Sequence, residues 1–354
     1  MAIAMLDEIR EIANNRSTRN IHISHADCEK LDLAALLAAD LILLRANHNR
    51  SKPNHIRLSG TFSKVSDEVN IMIKASGTPH HLKLAEARLK PEIAALVHRA
   101  ELQRGNSKRI ERSPNRNAAC QNLTDYFDKC LGSLGYTLIK EGKNHLGKLL
   151  TEVIENAEAH GGGQWFTIGH WQRNQRSGTD TRSGDCHIAI INYGTTIYES
   201  LKSIDVSPEL QEKLRALSAA HQGRNLFGER WDQEVLWTLY ALQERVSRYV
   251  GLPGSAPDRG VGTIEIIEFF RKLGNGRMCI VSGKAYILFD DKYGLGEIEK
   301  DGETLKIIAF NEDNDLEEAP DSNYVFRLPS HFPGTIVSID LTLDEAYLGA
   351  LLKK

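Results

Sequence analysis

Residues 146–163 constrain this chain most. Leu146, Leu149, Leu150, Val153, Ile154 and Ala157 recur at helical spacing and form an apolar stripe, and Gly161-Gly162-Gly163 ends the helix. Glu152, Asn156 and His160 stand four residues apart and share a second face. A carboxylate, an amide and an imidazole in a row beside a core stripe read as a site. An amide oxygen is a ligand for a hard cation, and a carboxylate one turn away orients or deprotonates a water or a hydroxyl. The same spacing also describes the ordinary wet face of an amphipathic helix, and the segments that follow favour the site.

Downstream, His187–Ile191 is short, apolar and rich in β-branched residues, so it reads as a buried strand. It runs into Asn192-Tyr193-Gly194-Thr195-Thr196-Ile197. Further on, Asp258-Arg259-Gly260-Val261-Gly262 precedes the helical run Thr263–Ile267. Small residues there allow close approach, amides at a helix N-terminus bind phosphate oxygens, and Arg259 adds a charge-assisted donor. Gly276–Gly283 and Lys284–Phe289 read as a hairpin with a Ser-Gly turn, and Gly334–Leu341 as a last strand.

Glu152, Asn156, Ala157 and His160 resemble the N-box of the GHKL (histidine kinase-like) ATPase superfamily, which includes gyrase-type topoisomerases, heat-shock chaperones, sensor histidine kinases and mismatch-repair ATPases. The later glycine segments and the Gly334-Thr335 strand follow in the family's order. The resemblance covers roughly Cys120 to Asp344. It implies a C-terminal two-layer α/β sandwich of the GHKL (Bergerat) type with a mixed sheet, and ATP and Mg²⁺ as cofactors. It implies that Asn156 holds the metal against the phosphates and that Glu152 is the general base. His160, Asn192, Gly194, Arg259, Gly260, Gly262 and Thr335 are then the nucleotide-binding positions. The chain departs from the family pattern twice. Asn192 stands where the family has the Asp that accepts the adenine amino proton, and Thr196 stands where it has a second Gly. An amide oxygen still accepts that proton, but without a charge.

A chain of 354 residues is long enough for two domains. Its net charge of −3 argues against a whole-surface nucleic-acid binder. Cys28, Cys120, Cys130, Cys186 and Cys279 form no Cys-x-x-Cys pair, so reduced, mostly buried thiols in a cytoplasmic protein are expected. No signal-peptide pattern opens the chain. The longest apolar run, Leu33 to Leu44, contains Asp40 and is too short to span a bilayer, which disfavours a membrane-type sensor kinase.

Residues 1–100 read as a small α/β domain in β-α-β-α order. Asn20–Ser24 and His55–Leu58 are its strands, and Leu31–Arg45 and Ser66–Ala75 its helices. That order weakly resembles the STAS fold of anti-sigma-factor antagonists, but the region Lys30–Ala35 lacks the serine that such domains phosphorylate. Leu84–Gln103 reads as a charged, Ala-rich helix joining the domains. Residues 101–118 read as a basic linker, and 119–345 as the ATP-binding domain. Residues 198–257 occupy the place of the family's ATP lid, with helices expected at Pro208–Ala220 and Arg230–Tyr249. Gly296–Asn323 is acidic and turn-rich and reads as a solvated loop. His22-x-x-His25 and His80-His81 lack further ligands at metal spacing.

Three functions stay open. The first is a Mg²⁺-dependent ATPase or ATP-driven switch acting on a partner protein. The second is an anti-sigma-type serine protein kinase. The third is a non-catalytic nucleotide-binding interaction module. A protein partner is expected, a homodimer is left open, and neither a membrane nor a nucleic acid is expected.

Overall fold

The computed structural model describes residues 2–50, 54–78, 82, 89–106, 114–161, 163–174, 182–203, 206–222, 231–243, 246, 262–273, 275–300 and 303–351. In chain order, the first elements are α1 (Ala2–Asn14), β1 (Asn20–Ser24), α2 (Leu33–His48), β2 (Arg57–Thr61), α3 (Asp67–Ser76), α4 (Pro91–Ala94) and β3 (Val97–Asn106). Next come α5 (Pro114–Gly132), α6 (Lys140–Gly161), β4 (Gln164–Arg173), β5 (Ser183–Tyr193), α7 (Ile197–Leu201), α8 (Pro208–Gln222), α9 (Gln233–Ala241) and α10 (Gly262–Leu273). The chain continues with β6 (Asn275–Phe289), β7 (Gly296–Lys300), β8 (Glu303–Ile307), β9 (Val325–Asp344) and α11 (Glu345–Leu351).

The expected α/β sandwich is present. Its sheet runs β3-β4-β5-β9-β6 and is antiparallel at every pairing, rather than mixed. The parallel pairing lies elsewhere, between β1 and β2. β5 is buried on both faces, as its continuous apolar run predicts. Cys186, Ile188 and Ile190 face one core with α5, α6, α9 and α10. Ala189 and Ile191 face a second core with Leu6 of α1, Leu33 and Leu37 of α2, and Val69 and Ile73 of α3. The helices of the N-terminal region therefore cover the second face of the same sheet. The start of α2 is fixed there by Asp32. Its carboxylate accepts from the Ala35 N–H (2.8 Å) as the N-cap and from the Ser338 hydroxyl of β9 (3.3 Å).

Several local expectations change. Residues 97–106, read as the end of a linking helix and the start of a basic linker, form edge strand β3, and α5 already begins at Pro114. Pairing with β4 overrides the helical propensity of this Ala- and Glu-containing segment. Gly105 lies so close under Trp165 that a Cβ would sit 2.2 Å from its ring. The expected hairpin at 276–289 is one strand, β6, with a register shift at Gly283 (φ +60°), and both of its halves pair with β9. The acidic loop contains the hairpin β7–β8, followed by the buried Ile308, Ala309 and Phe310. The second lid helix starts later than expected because Asp232 caps it by accepting from Glu234 N–H (2.8 Å). No helix among the described residues is long and apolar enough to cross a membrane.

One polar row crosses the second face at the Ser183 end of the sheet. His170, His187, Asp340 and Arg277 are successive cross-strand partners on β4, β5, β9 and β6. His187 Nδ1 lies 2.5 Å from Asp340, and the His170 ring stacks on that of His187 at 6.0 Å. Burial alone lowers the His187 pKa, but the hydrogen bond and charge of Asp340 outweigh it and hold the group above its ordinary value. His170 is fully buried. Burial, and then the His187 charge, push its pKa down to about 3.

The two shifts act on stability with opposite sign. The raised His187 contributes stability below its unfolded pKa that is lost as pH rises through its folded one. The lowered His170 refuses a proton that the unfolded chain accepts below pH 6.5. Stability therefore falls with acidification at up to about 1.4 kcal/mol per pH unit from this group. His170→Leu is expected to flatten the acid limb of a stability–pH profile measured by urea unfolding between neutral and mildly acid pH. An unchanged slope would show that His170 is not the group responsible.

Candidate functional site

At the opposite end of the sheet, a second row lies on the face covered by α6. Trp165, Asn192, Thr335 and Ser282 are successive cross-strand partners on β4, β5, β9 and β6. They alternate in phase with Trp171, Ile190, Val337 and Ile280, which belong to the α6-side core. Asn192 is 5% exposed, while Trp165 and Ser282 are fully buried. Placing an amide, two hydroxyls and an indole at the rim of an apolar face costs desolvation unless each is satisfied.

Partners are supplied locally for three of the four. The Ser282 hydroxyl contacts Thr335 Oγ1 (2.9 Å) and accepts from the Ile197 backbone N–H (2.9 Å), so it ties β6, β9 and the start of α7 together. Trp165 Nε1 donates to Glu158 Oε1 (2.9 Å), and Arg116 pairs with Glu158 (3.1 Å) and Glu155 (3.0 Å). The half-buried Glu158 thus locks the end of α6 to β4 and α5. No side-chain partner is described for Asn192, which leaves the amide at the rim as the row's one uncommitted hydrogen-bonding group among the described residues.

The backbone around Asn192 is drawn in tightly. Gly194 has φ +144°, and its N–H donates to Pro333 O (3.1 Å). Gly334, the partner of Tyr193, has φ +147°, and a Cβ there would sit 2.0 Å from Asn192 O. Thr196, which departs from the family pattern, has a definite task. It is fully buried and caps α7 in a complete capping box with Glu199, accepting from Glu199 N–H (3.1 Å), while Glu199 accepts from Thr196 N–H (2.8 Å).

Helix α6 brings the other site residues towards the same end. It finishes at Gly161, immediately before β4, whose Trp165 pairs with Asn192. Helix α10 runs the opposite way, because it finishes next to β6, whose Asn275 pairs with Thr342 at the far end. The rings of His145 and Phe269 mark where the two helices meet, 5.8 Å apart. Seven residues on from His145 is Glu152, and seven back from Phe269 is Gly262. Each interval spans about 10 Å of helix, so the N-terminus of α10 lies level with Glu152. Asn156 follows one turn further, on the flank of α6 that carries His145 rather than the flank that meets α5. Glu152 is half-buried and Asn156 exposed.

Of the positions expected from the sequence, Asn192, Gly194 and Thr335 therefore lie together at one end of the sheet, while Glu152 and Asn156 lie along the half of α6 that runs towards that end, with Gly262 level with Glu152. His160 is in the last turn of α6, but its side chain lies outside the described residues, as do Arg259 and Gly260. The chain matches no known protein family, no curated protein and no solved structure.

Two contributors were not legible in the sequence. Ser282 looked like a turn residue, and only the register of β6 on β9 puts it beside Thr335. Glu234 accepts from Lys284 N–H (2.8 Å) beside the Gly283 bulge and pins α9 to β6. Elsewhere, His22 is bonded to Ser59 (2.8 Å), and His80 and His81 lie outside the described residues. Among the described residues no cluster of three or more His, Cys, Asp or Glu is placed to hold a metal by itself.

The close approach at Gly334 is directly testable. Gly334→Ala combines a left-handed φ with a backbone clash and is expected to cost about 3 kcal/mol or more in denaturant unfolding. Gly132→Ala, where a Cβ meets nothing, is the control expected to change stability by less than about 1 kcal/mol. Equal effects from the two substitutions would contradict the tight β5–β9 contact.

Proposed function

We propose that this chain is a Mg²⁺-dependent ATP-binding protein that hydrolyses ATP, or changes conformation with it, to regulate a partner protein. The reading includes a cytoplasmic location. It rests on one observation, that the half of α6 carrying Glu152 and Asn156 and the N-terminus of α10 lie on the same face and in the same half of the sandwich as Asn192 and Thr335. Each has a task in nucleotide chemistry. Asn192 sits at the rim of the apolar face with an oxygen suited to an exocyclic amine. Gly194 and Gly334 keep the backbone free of side chains beside it. The first amides of a helix have no partner within it and carry its positive end, so those of α10 suit phosphate oxygens. Arg259 and Gly260 extend that anion site in the sequence.

The donor set fits a hard divalent cation shared with phosphates. Asn156 would hold Mg²⁺ through its amide oxygen on an exposed stretch of helix. The bound ion would offset negative charge on the phosphate oxygens. Glu152, one turn back and level with Gly262, is the residue for taking a proton from the attacking water as the bond to the terminal phosphate breaks. Its half-burial keeps the carboxylate close to the protein surface rather than at the end of a freely moving side chain.

Thr196 bears on the alternatives. A threonine in place of a family glycine favours a non-catalytic module, but a buried N-cap with a complete capping box gives Thr196 a structural reason. A serine kinase uses the same groups and differs only in the acceptor, a protein hydroxyl in place of water.

Turnover of terminal-phosphate-labelled ATP, with Mg²⁺ and with chelator, tests the reading. Mg²⁺-dependent release of phosphate is expected. Glu152→Ala should keep ATP binding and lower turnover by about 100-fold or more. Asn156→Ala should abolish Mg²⁺-dependent binding while leaving the fold intact. Label transferred to a partner protein would select the kinase. ATP binding that survives Asn156→Ala, or normal turnover in Glu152→Ala, would overturn the assigned roles.

A further inference from the structure

A cavity of about 250 Å³ lies on the other face of the sheet, between α1, α2 and the paired ends of β5 and β9. Its walls divide by chemistry. Leu6, Leu41 and Phe332 form an apolar inner surface, each at most 6% exposed. Arg10 and Arg45 stand at the polar side. Arg10 is paired with Asp7 and donates to His331 O (3.4 Å). Two guanidiniums against one carboxylate leave a net positive charge on the lining.

Tyr193 joins the two halves. Its ring packs on Phe332 at 5.3 Å, and its hydroxyl lies near the Ala38 carbonyl (3.4 Å). Burial raises the pKa of this phenol, and the charges of Arg45 and Arg10 pull the other way, so both guanidiniums act on the hydroxyl inside the cavity. Nothing in the nucleotide reading uses this space, because Asn192 and Tyr193 point to opposite faces of β5.

From the apolar floor, the cationic rim and the volume of this partly open cavity, we infer that it binds a small amphipathic monocarboxylate. The ligand's hydrocarbon body rests on Leu6, Leu41 and Phe332, and its carboxylate meets Arg45. Size sets the class. A dry apolar cavity of about 150 Å³ accommodates benzene, so this one takes one ring, or a medium-length chain, with a carboxylate attached. A guanidinium not already held by a carboxylate is the better partner, since a carboxylate–guanidinium pair is bidentate and charge-assisted. The ligand would also press on Pro333, whose carbonyl accepts from Gly194 N–H at the edge of the candidate nucleotide site.

The test is calorimetric titration of the full chain with phenylacetate, octanoate and indole-3-acetate, each beside its neutral amide. Saturable binding of at least one carboxylate is expected, with its amide about tenfold weaker or more. Arg45→Gln, at an exposed position that should not disturb folding, is expected to weaken the carboxylate by about tenfold and leave the amide unchanged. Ala46→Leu should fill the cavity and weaken both. Equal affinity for carboxylate and amide would overturn the inference. So would affinity unchanged by both substitutions, or no saturable binding of any carboxylate at millimolar concentration. ATP binding is measured on the same samples, so a failure here is separable from a failure of the nucleotide reading.

Discussion

The pairing of β5 with β9 is the constraint on which the rest of the structure depends. The register runs without a break from Ser183↔Asp344 to Tyr193↔Gly334. Both strands are central and are covered on both faces, so most residues in the register from Cys186 to Asn192 are committed to one core or the other. A slip of β5 by one residue on β9 would exchange the faces of β5, sending Asn192 to the α2 side and Tyr193 to the α6 side, away from Thr335. The helices on either side are placed by this register rather than by their own propensities. The same holds for β6, whose bulge at Gly283 lets the strand stay on β9 while making room for the Glu234 carboxylate.

Each end of the sheet carries one polar row, and the rows lie on opposite faces. The His170–His187–Asp340–Arg277 row runs from the fully buried His170 to the exposed Arg277 on the face of the N-terminal helices, where Asp32 and Ser338 also anchor α2. The Trp165–Asn192–Thr335–Ser282 row opens beside the end of α6 and the start of α10. The first is a place where burial and charge set protonation. The second combines an amide without a described side-chain partner with helix-terminal donors, a juxtaposition suited to a ligand. Because Asn192 and Tyr193 are consecutive, the candidate nucleotide site and the arginine-rimmed cavity share one stretch of backbone while facing apart.

Much of this was legible in the sequence where pattern and burial agree. The stripe of α6, the doubly buried run of β5 and the final strand at Gly334 carry their own periodicity, and the candidate residues Glu152, Asn156, Asn192 and Thr335 lie on these elements. Other features depend on partners distant in sequence. β3 contains residues that favour a helix, and its pairing with β4 and the seat of Trp165 on Gly105 decide otherwise. The Ser-Gly pair at 282–283 has the composition of a turn. It becomes a bulge because β9 is long enough to pair on both sides of it. Thr196 read as a lost glycine, although Thr196-Ile197-Tyr198-Glu199 carries the Thr-x-x-Glu signature of a capping box, which the comparison with a glycine box passed over. The sandwich itself was expected, whereas the all-antiparallel pairing follows from connections that composition does not encode.

The central claim is that nucleotide binds at the Asn192 end of the α6 face. Amide resonances of the deuterated full chain, followed as Mg²⁺ and a non-hydrolysable ATP analogue are added, test it most directly. The account predicts shifts clustered at Asn192, Gly194, Thr335, Ser282 and the end of α6, with the His170–His187 row undisturbed. Shifts confined to the opposite end of the sheet, or no shifts at saturating analogue, would contradict it.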